Sequence, residues 1–198
     1  MDSSLPKLYL VRHGETEWSR GGKHTGLTDI ALTERGESEA RALQSMLAKL
    51  HPHLVLTSPL QRASRTAALA GFADAKMDPD LVEWDYGAYE GRTTHDIQTE
   101  RPGWRQFVDG CPDGETLAAV SARADRLVAR IRALQADALV FAHRDILHVV
   151  IARWIALPAV TGCRMHLATA SVSTLGYDHG LTEPMILKLN KTNDRFSP

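Results

Sequence analysis

The sequence predicts an α/β fold organised around a mostly parallel sheet. Three observations carry that prediction. Apolar runs of strand length recur at residues 7–11, 53–57 and 138–142. Stretches with a helical apolar stripe separate them, as parallel strands joined by crossovers require. Each run also ends on polar or charged residues, at the edge where an open parallel sheet gathers its ligand.

Residues 7–11 read as a buried strand, and the polar, Gly-rich stretch 14–29 is too irregular for a helix. Thr33 then caps a helix in which Gly36 is tolerated early and Ala40, Leu43, Leu47 and Leu50 form one stripe up to Pro52. The second strand, 53–57, leads into Ser58-Pro59, which opens a helix that stops near Gly71. Residues 78–112 are loop-rich, carry Trp84, Tyr86, Tyr89 and Trp104, and include a short helix over 94–100. Asp113-Gly114-Glu115-Thr116 starts a long helix whose apolar positions Leu117, Val120, Ala124, Leu127, Ile131 and Leu134 alternate by three and four. The buried strand 138–142 delivers His143, a strongly apolar helix runs over 145–157 to Pro158, and the last strands are 171–177 and 185–189. No internal repeat and no Pro/Gly/Ser-rich linker divides the chain, so residues 1–198 read as one domain.

Composition narrows the function classes. With 43% apolar and 24% charged residues the chain is that of an ordinary soluble globular protein, and a net charge of -1 offers no electrostatic reason to bind nucleic acid or an anionic membrane. Anion recognition therefore has to be local. Cys111 and Cys163 lack CxxC spacing and suit a reducing compartment. Residues 1–6 carry Asp2 and no basic stretch ahead of an apolar core, so no signal peptide is expected, and no run approaches a membrane span. A cytoplasmic location is the expectation.

The chemistry starts at Arg12-His13, directly after the first strand. Arginine presents a planar fork of donors that fits phosphate oxygens, and a neutral histidine has a lone pair able to attack phosphorus. Gly14 lets the backbone approach closely behind them. Arg62, in the first turn of the second helix, is placed to hold a phosphate together with free backbone N–H groups. His143 arrives by the same route after the third strand. His51 and His53 flank a loop-to-strand junction, and His148, His166 and His179 are taken as structural.

The Arg-His-Gly-Glu-Thr start, the stretch from Thr57 to Ala63, Glu83 with Tyr86-Gly87 and Glu90-Gly91, and Ala142-His143 resemble the histidine phosphatase superfamily, also called phosphoglycerate mutase-like. Within it, Thr25-Gly26-Leu27-Thr28-Asp29, the stretch from Glu83 to Gly91, the stretch from Asp109 to Glu115 and Ala152-Arg153-Trp154 are similar to a branch with sedoheptulose 1,7-bisphosphatase-like enzymes and actinobacterial acid phosphatases. The resemblance implies a three-layer α/β/α sandwich with a mostly parallel central sheet. It also implies that His13 is the transiently phosphorylated nucleophile, that Arg12, Arg62 and His143 surround the phosphoryl group, and that Glu83 is the proton donor. Phosphoryl transfer asks for that division of labour, because charge spreads over three oxygens and the leaving alkoxide needs a proton. Glu83, between Val82 and Trp84, fits a carboxyl group whose pKa is raised by partial burial. Thr25, Gly26 and Ser19, with His24 nearby, line the substrate pocket, and Tyr86 and Trp104 are candidates for a lid or for core.

No metal or other cofactor is expected: the arginines and a cationic histidine take the place of a divalent ion, and no HxxEH or carboxylate cluster appears. The pattern breaks once. Where the family usually has glycine after the second histidine, Arg144-Asp145 stands, and His148 stands where the branch commonly has arginine. Arg144 then either strengthens phosphate binding, crowds the approach or pairs with Asp145. The expected activity is hydrolysis of a small-molecule phosphate ester, a sugar phosphate in particular, at mildly acidic to neutral pH, with homodimerisation left open. A mutase and a catalytically weak phospho-ligand-binding module are the alternatives.

Overall fold

The computed structural model describes residues 5–193, so the reading of the first four residues lies outside them. In chain order the elements are β1 (Leu8–Arg12), α1 (Glu17–Arg20), α2 (Glu34–Leu47), β2 (Leu54–Thr57), α3 (Gln61–Leu69), β3 (Lys76–Met77), α4 (Thr94–Glu100), α5 (Gln106–Asp109), α6 (Leu117–Leu134), β4 (Ala138–Ala142), α7 (Arg144–Trp154), β5 (Val172–Tyr177) and β6 (Pro184–Lys191). They assemble one six-stranded sheet in the order β3-β2-β4-β1-β5-β6.

All five residues of β4 are buried, so the most apolar strand takes the interior of the sheet. β1 and β2 pair with it in parallel, and the register sets Arg12 opposite Ala142 and Thr57 opposite Phe141. The three strands therefore end level, and the next residues along the chain, His13, Ser58 and His143, emerge side by side. β5 and β6 run antiparallel at the other edge.

Helices cover both faces, which makes the three predicted layers. Leu8, Leu10 and Val140 pack with Leu127 and Ile131 of α6 and Ile146 and Val150 of α7. Val11, Leu139 and Phe141 face the other way, onto Leu43 and Leu47 of α2 and Ala67 of α3. Burying each such side chain stabilises the fold by roughly 1.5–3 kcal/mol. Among the described residues no helix is long and apolar enough to cross a membrane.

Some local readings need correction. The stretch 14–29 contains a helical turn, α1, because Thr16 Oγ accepts from the Ser19 amide at 3.1 Å and Ser19 Oγ accepts from the Thr16 amide at 2.9 Å. β3 and α5 leave no periodic signal, being only two and four residues long. α7 ends at Trp154, before the predicted 157, because Ala156 turns left-handed at φ 58°.

Candidate active site

The level strand ends build the base of the site. The His13 amide still donates to the Ala142 carbonyl at 3.0 Å and the Ser58 amide to the Phe141 carbonyl at 2.9 Å, so each loop leaves the sheet one residue late. Gly14 then passes so close to α2 that a Cβ would sit 2.4 Å from the Gly36 carbonyl oxygen, which confirms the need for glycine there.

His13 is 4% exposed, and its Nδ1–H donates to the Gly14 carbonyl at 2.7 Å. That bond assigns the proton to Nδ1 and leaves the lone pair on Nε2. Burial, then the Arg12 and Arg62 charges, hold the His13 pKa well below its ordinary value, so the ring is neutral at pH 7. Arg12 donates Nη1–H to the Leu167 carbonyl at 2.6 Å, while its buried Nε has no partner. Burial, and next Arg144, lower the Arg12 pKa to about 10, which leaves it a cation at neutral pH.

His143, fully buried, lies with its ring centroid 5.2 Å from that of His13. Its Nδ1 accepts from Arg62 Nε–H at 3.0 Å, and its Nε2–H donates to Ser58 Oγ at 2.8 Å. Arg62 has no exposed surface and donates to the carbonyls of Gly26, Thr28 and Thr25 at 2.7, 2.9 and 3.2 Å. Arg62 thereby ties the residue 25–28 loop to His143. Burial, and after it Arg62, keep the His143 pKa well below its ordinary value, so the histidine is neutral and the positive charge belongs to arginines.

Glu83 stands across the site, 3% exposed, at the N-terminus of α7. Its carboxylate accepts from the amides of Trp84 and Ile146, both at 2.9 Å, and of Asp145 at 3.0 Å. Burial and the neighbouring Asp145 charge raise its pKa and those amide bonds oppose the rise; the net direction is upward. Asp145 is buried as well, and accepts from Tyr86 Oη–H at 2.5 Å, Gln106 Nε2–H at 2.9 Å and Arg144 Nε–H at 2.9 Å, with His148 Nδ1 at 3.3 Å. Burial disfavours its charge, but Arg144 and His148 outweigh that and hold its pKa well down.

These groups enclose a cavity of about 40 Å³. Of the predicted residues, Arg12, His13, Ser19, Thr25, Glu83 and Tyr86 line it; Lys23, His24 and Arg144 join them. Arg62, His143 and Gly26 stand behind the wall, the amide of Gly26 held by the Glu90 carboxylate at 2.8 Å. Trp104 belongs to the core, its Nε1–H on the Gly110 carbonyl at 2.8 Å. The pairing of Arg144 with Asp145 was one of the alternatives the sequence offered; the contacts of Asp145 with Tyr86 and Gln106, and the Ser58 hydroxyl, were missed. Ser58 was legible in principle, as the residue that ends β2 beside His143.

A family model described as the histidine phosphatase superfamily (branch 1) matches residues 8–192. The chain belongs to that superfamily. An acid phosphatase of Mycobacterium tuberculosis is 40% identical over 187 residues, with 92% of each chain covered. A sedoheptulose 1,7-bisphosphatase of Saccharomyces cerevisiae is 36% identical over 82% of this chain and 72% of its own. A solved structure of an open reading frame from Mycobacterium tuberculosis superposes with a TM-score of 0.90 at 39% identity, covering 94% of this chain and 98% of that one. The protein is a histidine phosphatase, and its phosphatase-named relatives span nearly the whole fold.

Among the described residues, the one group of three potential metal ligands, Asp178, His179 and Glu183, sits in the turn after β5. Because β5 runs antiparallel to β1, that turn lies at the opposite end of the sheet from His13. The histidine phosphatase cavity itself draws its positive charge from Arg12, Lys23 and Arg144.

Proposed function

We propose that this histidine phosphatase is a metal-independent phosphomonoesterase of small phosphorylated metabolites, sugar phosphates among them, working through a phosphohistidine at His13. The observation that carries this reading is a neutral, buried imidazole that lines the cavity with Nδ1 anchored and Nε2 left to react.

In this reading each step falls to residues that line the cavity. Nε2 of His13 attacks phosphorus, the bond from phosphorus to the ester oxygen breaks, and the leaving oxygen takes the proton of Glu83, whose raised pKa suits a general acid. The Glu83 carboxylate then takes a proton from water as that water attacks the phosphohistidine, releasing inorganic phosphate and restoring His13. Arg12, with one buried and unpartnered N–H, stabilises the charge on the phosphoryl oxygens. Arg62 and His143 act one layer back, fixing the loop and the base of the cavity. His13 has to be neutral and Glu83 protonated together, so activity belongs to mildly acidic and neutral pH and falls as pH rises through the Glu83 pKa.

The two isolated thiols fit action in the cytoplasm, on a free small-molecule ester. Incubation with a phosphate ester, then quenching and mass spectrometry, tests the reading. An alkali-stable, acid-labile phosphoryl group on His13, with phosphate release, supports it; isomerisation of 3-phosphoglycerate without net phosphate release replaces it with a mutase.

A further inference from the structure

The cavity at His13 holds only about three water-sized bodies, enough for a phosphoryl group and little of its alcohol. Beside it lies a second cavity of about 250 Å³, lined by Gln106, Phe107, His148, Met165 and Leu167. Glu83 belongs to the first wall, Asp145 to the second, and Arg144 to both. Arg144 is thus the residue that the two walls share, between the small cavity at His13 and the larger one beside it.

What holds the partition is one contact pair. Arg144 donates Nε–H and Nη2–H to the two Asp145 oxygens at 2.9 and 3.3 Å. The two ends of this pair differ. The Asp145 side chain is 2% exposed and fixed from behind by Tyr86 and Gln106, whereas the Arg144 side chain is 42% exposed. Asp145 is therefore the fixed post, and Arg144 the part whose presence or removal changes the shape of the site.

Resting on the phosphomonoesterase reading above, we propose that Arg144 is a specificity-determining residue: latched to Asp145, it closes the phosphoryl cavity off from the adjoining one and confines the enzyme to esters of compact alcohols. A leaving group of about three carbons fits outside the latch, where Gly22 and Lys23 form an exposed rim. A hexose needs the second cavity, and reaches it only when the guanidinium is gone. Truncation of Arg144 then joins the two cavities, and bulky esters gain relative to compact ones.

The test compares kcat/KM for glycerol 3-phosphate and glucose 6-phosphate, two primary alkyl esters of equal charge, in wild type and Arg144→Ala. Wild type is expected to favour glycerol 3-phosphate, and Arg144→Ala to reduce that preference by about tenfold or more, the scale on which shape alone discriminates. If Arg144→Ala does not fold, Arg144→Lys gives the same comparison with a smaller reduction, because lysine keeps the cation but loses the flat fork that spans Asp145. A ratio unchanged within twofold, or a wild type that prefers glucose 6-phosphate, overturns the latch alone. A wild type that releases phosphate from neither of these esters nor any other overturns the phosphomonoesterase reading and the latch with it.

Discussion

The two sides of the cavity are built on opposite principles. On the strand side, His13, Arg62 and His143 are locked by carbonyls and by each other: Gly14, Gly26 and Thr28 supply oxygens, and Arg62 Nε–H meets His143 Nδ1 at 3.0 Å. Both imidazoles are neutral there, and a single geometry satisfies the donors. On the helix side, Glu83 and Asp145 are two buried carboxyl groups at the start of α7, pushed in opposite directions, Glu83 up and Asp145 down. In the proposed mechanism the strand side positions, and the helix side handles protons. Rigidity on one side and charge coupling on the other give different responses to mutation.

The largest expected effect is loss of the nucleophile. His13→Ala should lower phosphate release on the order of 10⁴-fold or more in a steady-state assay and abolish the phosphoryl adduct. Next comes the acid. Glu83→Gln should cost about 10²–10⁴-fold on an alkyl phosphate and far less on p-nitrophenyl phosphate, whose leaving oxygen needs little help from a proton donor. Equal losses on both esters would break the assignment of Glu83 to the proton-handling side.

Arg62→Ala tests the locked side through stability. It strips donors from three backbone carbonyls and from His143, and thermal unfolding should show a loss of about 3 kcal/mol or more, since an orphaned buried acceptor costs about 1–3 kcal/mol. Arg62→Lys should not restore it, because one ammonium cannot span those oxygens and the imidazole. The smallest effect sharpens the coupling. Asp145 raises the Glu83 pKa, so Asp145→Asn should let it fall and move the alkaline limb of the kcat profile to lower pH. A limb that stays in place would show that burial alone sets the Glu83 proton.

Much of this was legible in order along the chain. Leu8 to Val11 and Ala138 to Ala142 announce buried strands, and the histidines just beyond them, His13 and His143, are brought to the same edge by parallel pairing. Turns of four residues or fewer, such as α1, were not, since one capping box leaves no periodicity to find. Nor were the contacts of Arg62, which the sequence places in a first turn and the fold ties to loop carbonyls and to His143. Its partners, Thr25, Gly26, Thr28 and His143, are set by the fold of distant loops.

By itself, then, the sequence determined the layered α/β architecture through its strand and helix periodicities, and the superfamily through the motifs at its strand ends, because both are local facts. The tertiary structure decided which arginines line the cavity, that burial and Arg62 hold the His143 pKa down, and that Arg144 is paired with an Asp145 held in turn by Tyr86, 59 residues away in sequence. Those outcomes depend on desolvation and on hydrogen-bond partners brought together only when the strands find their register, and neither quantity is written in any single stretch of the chain.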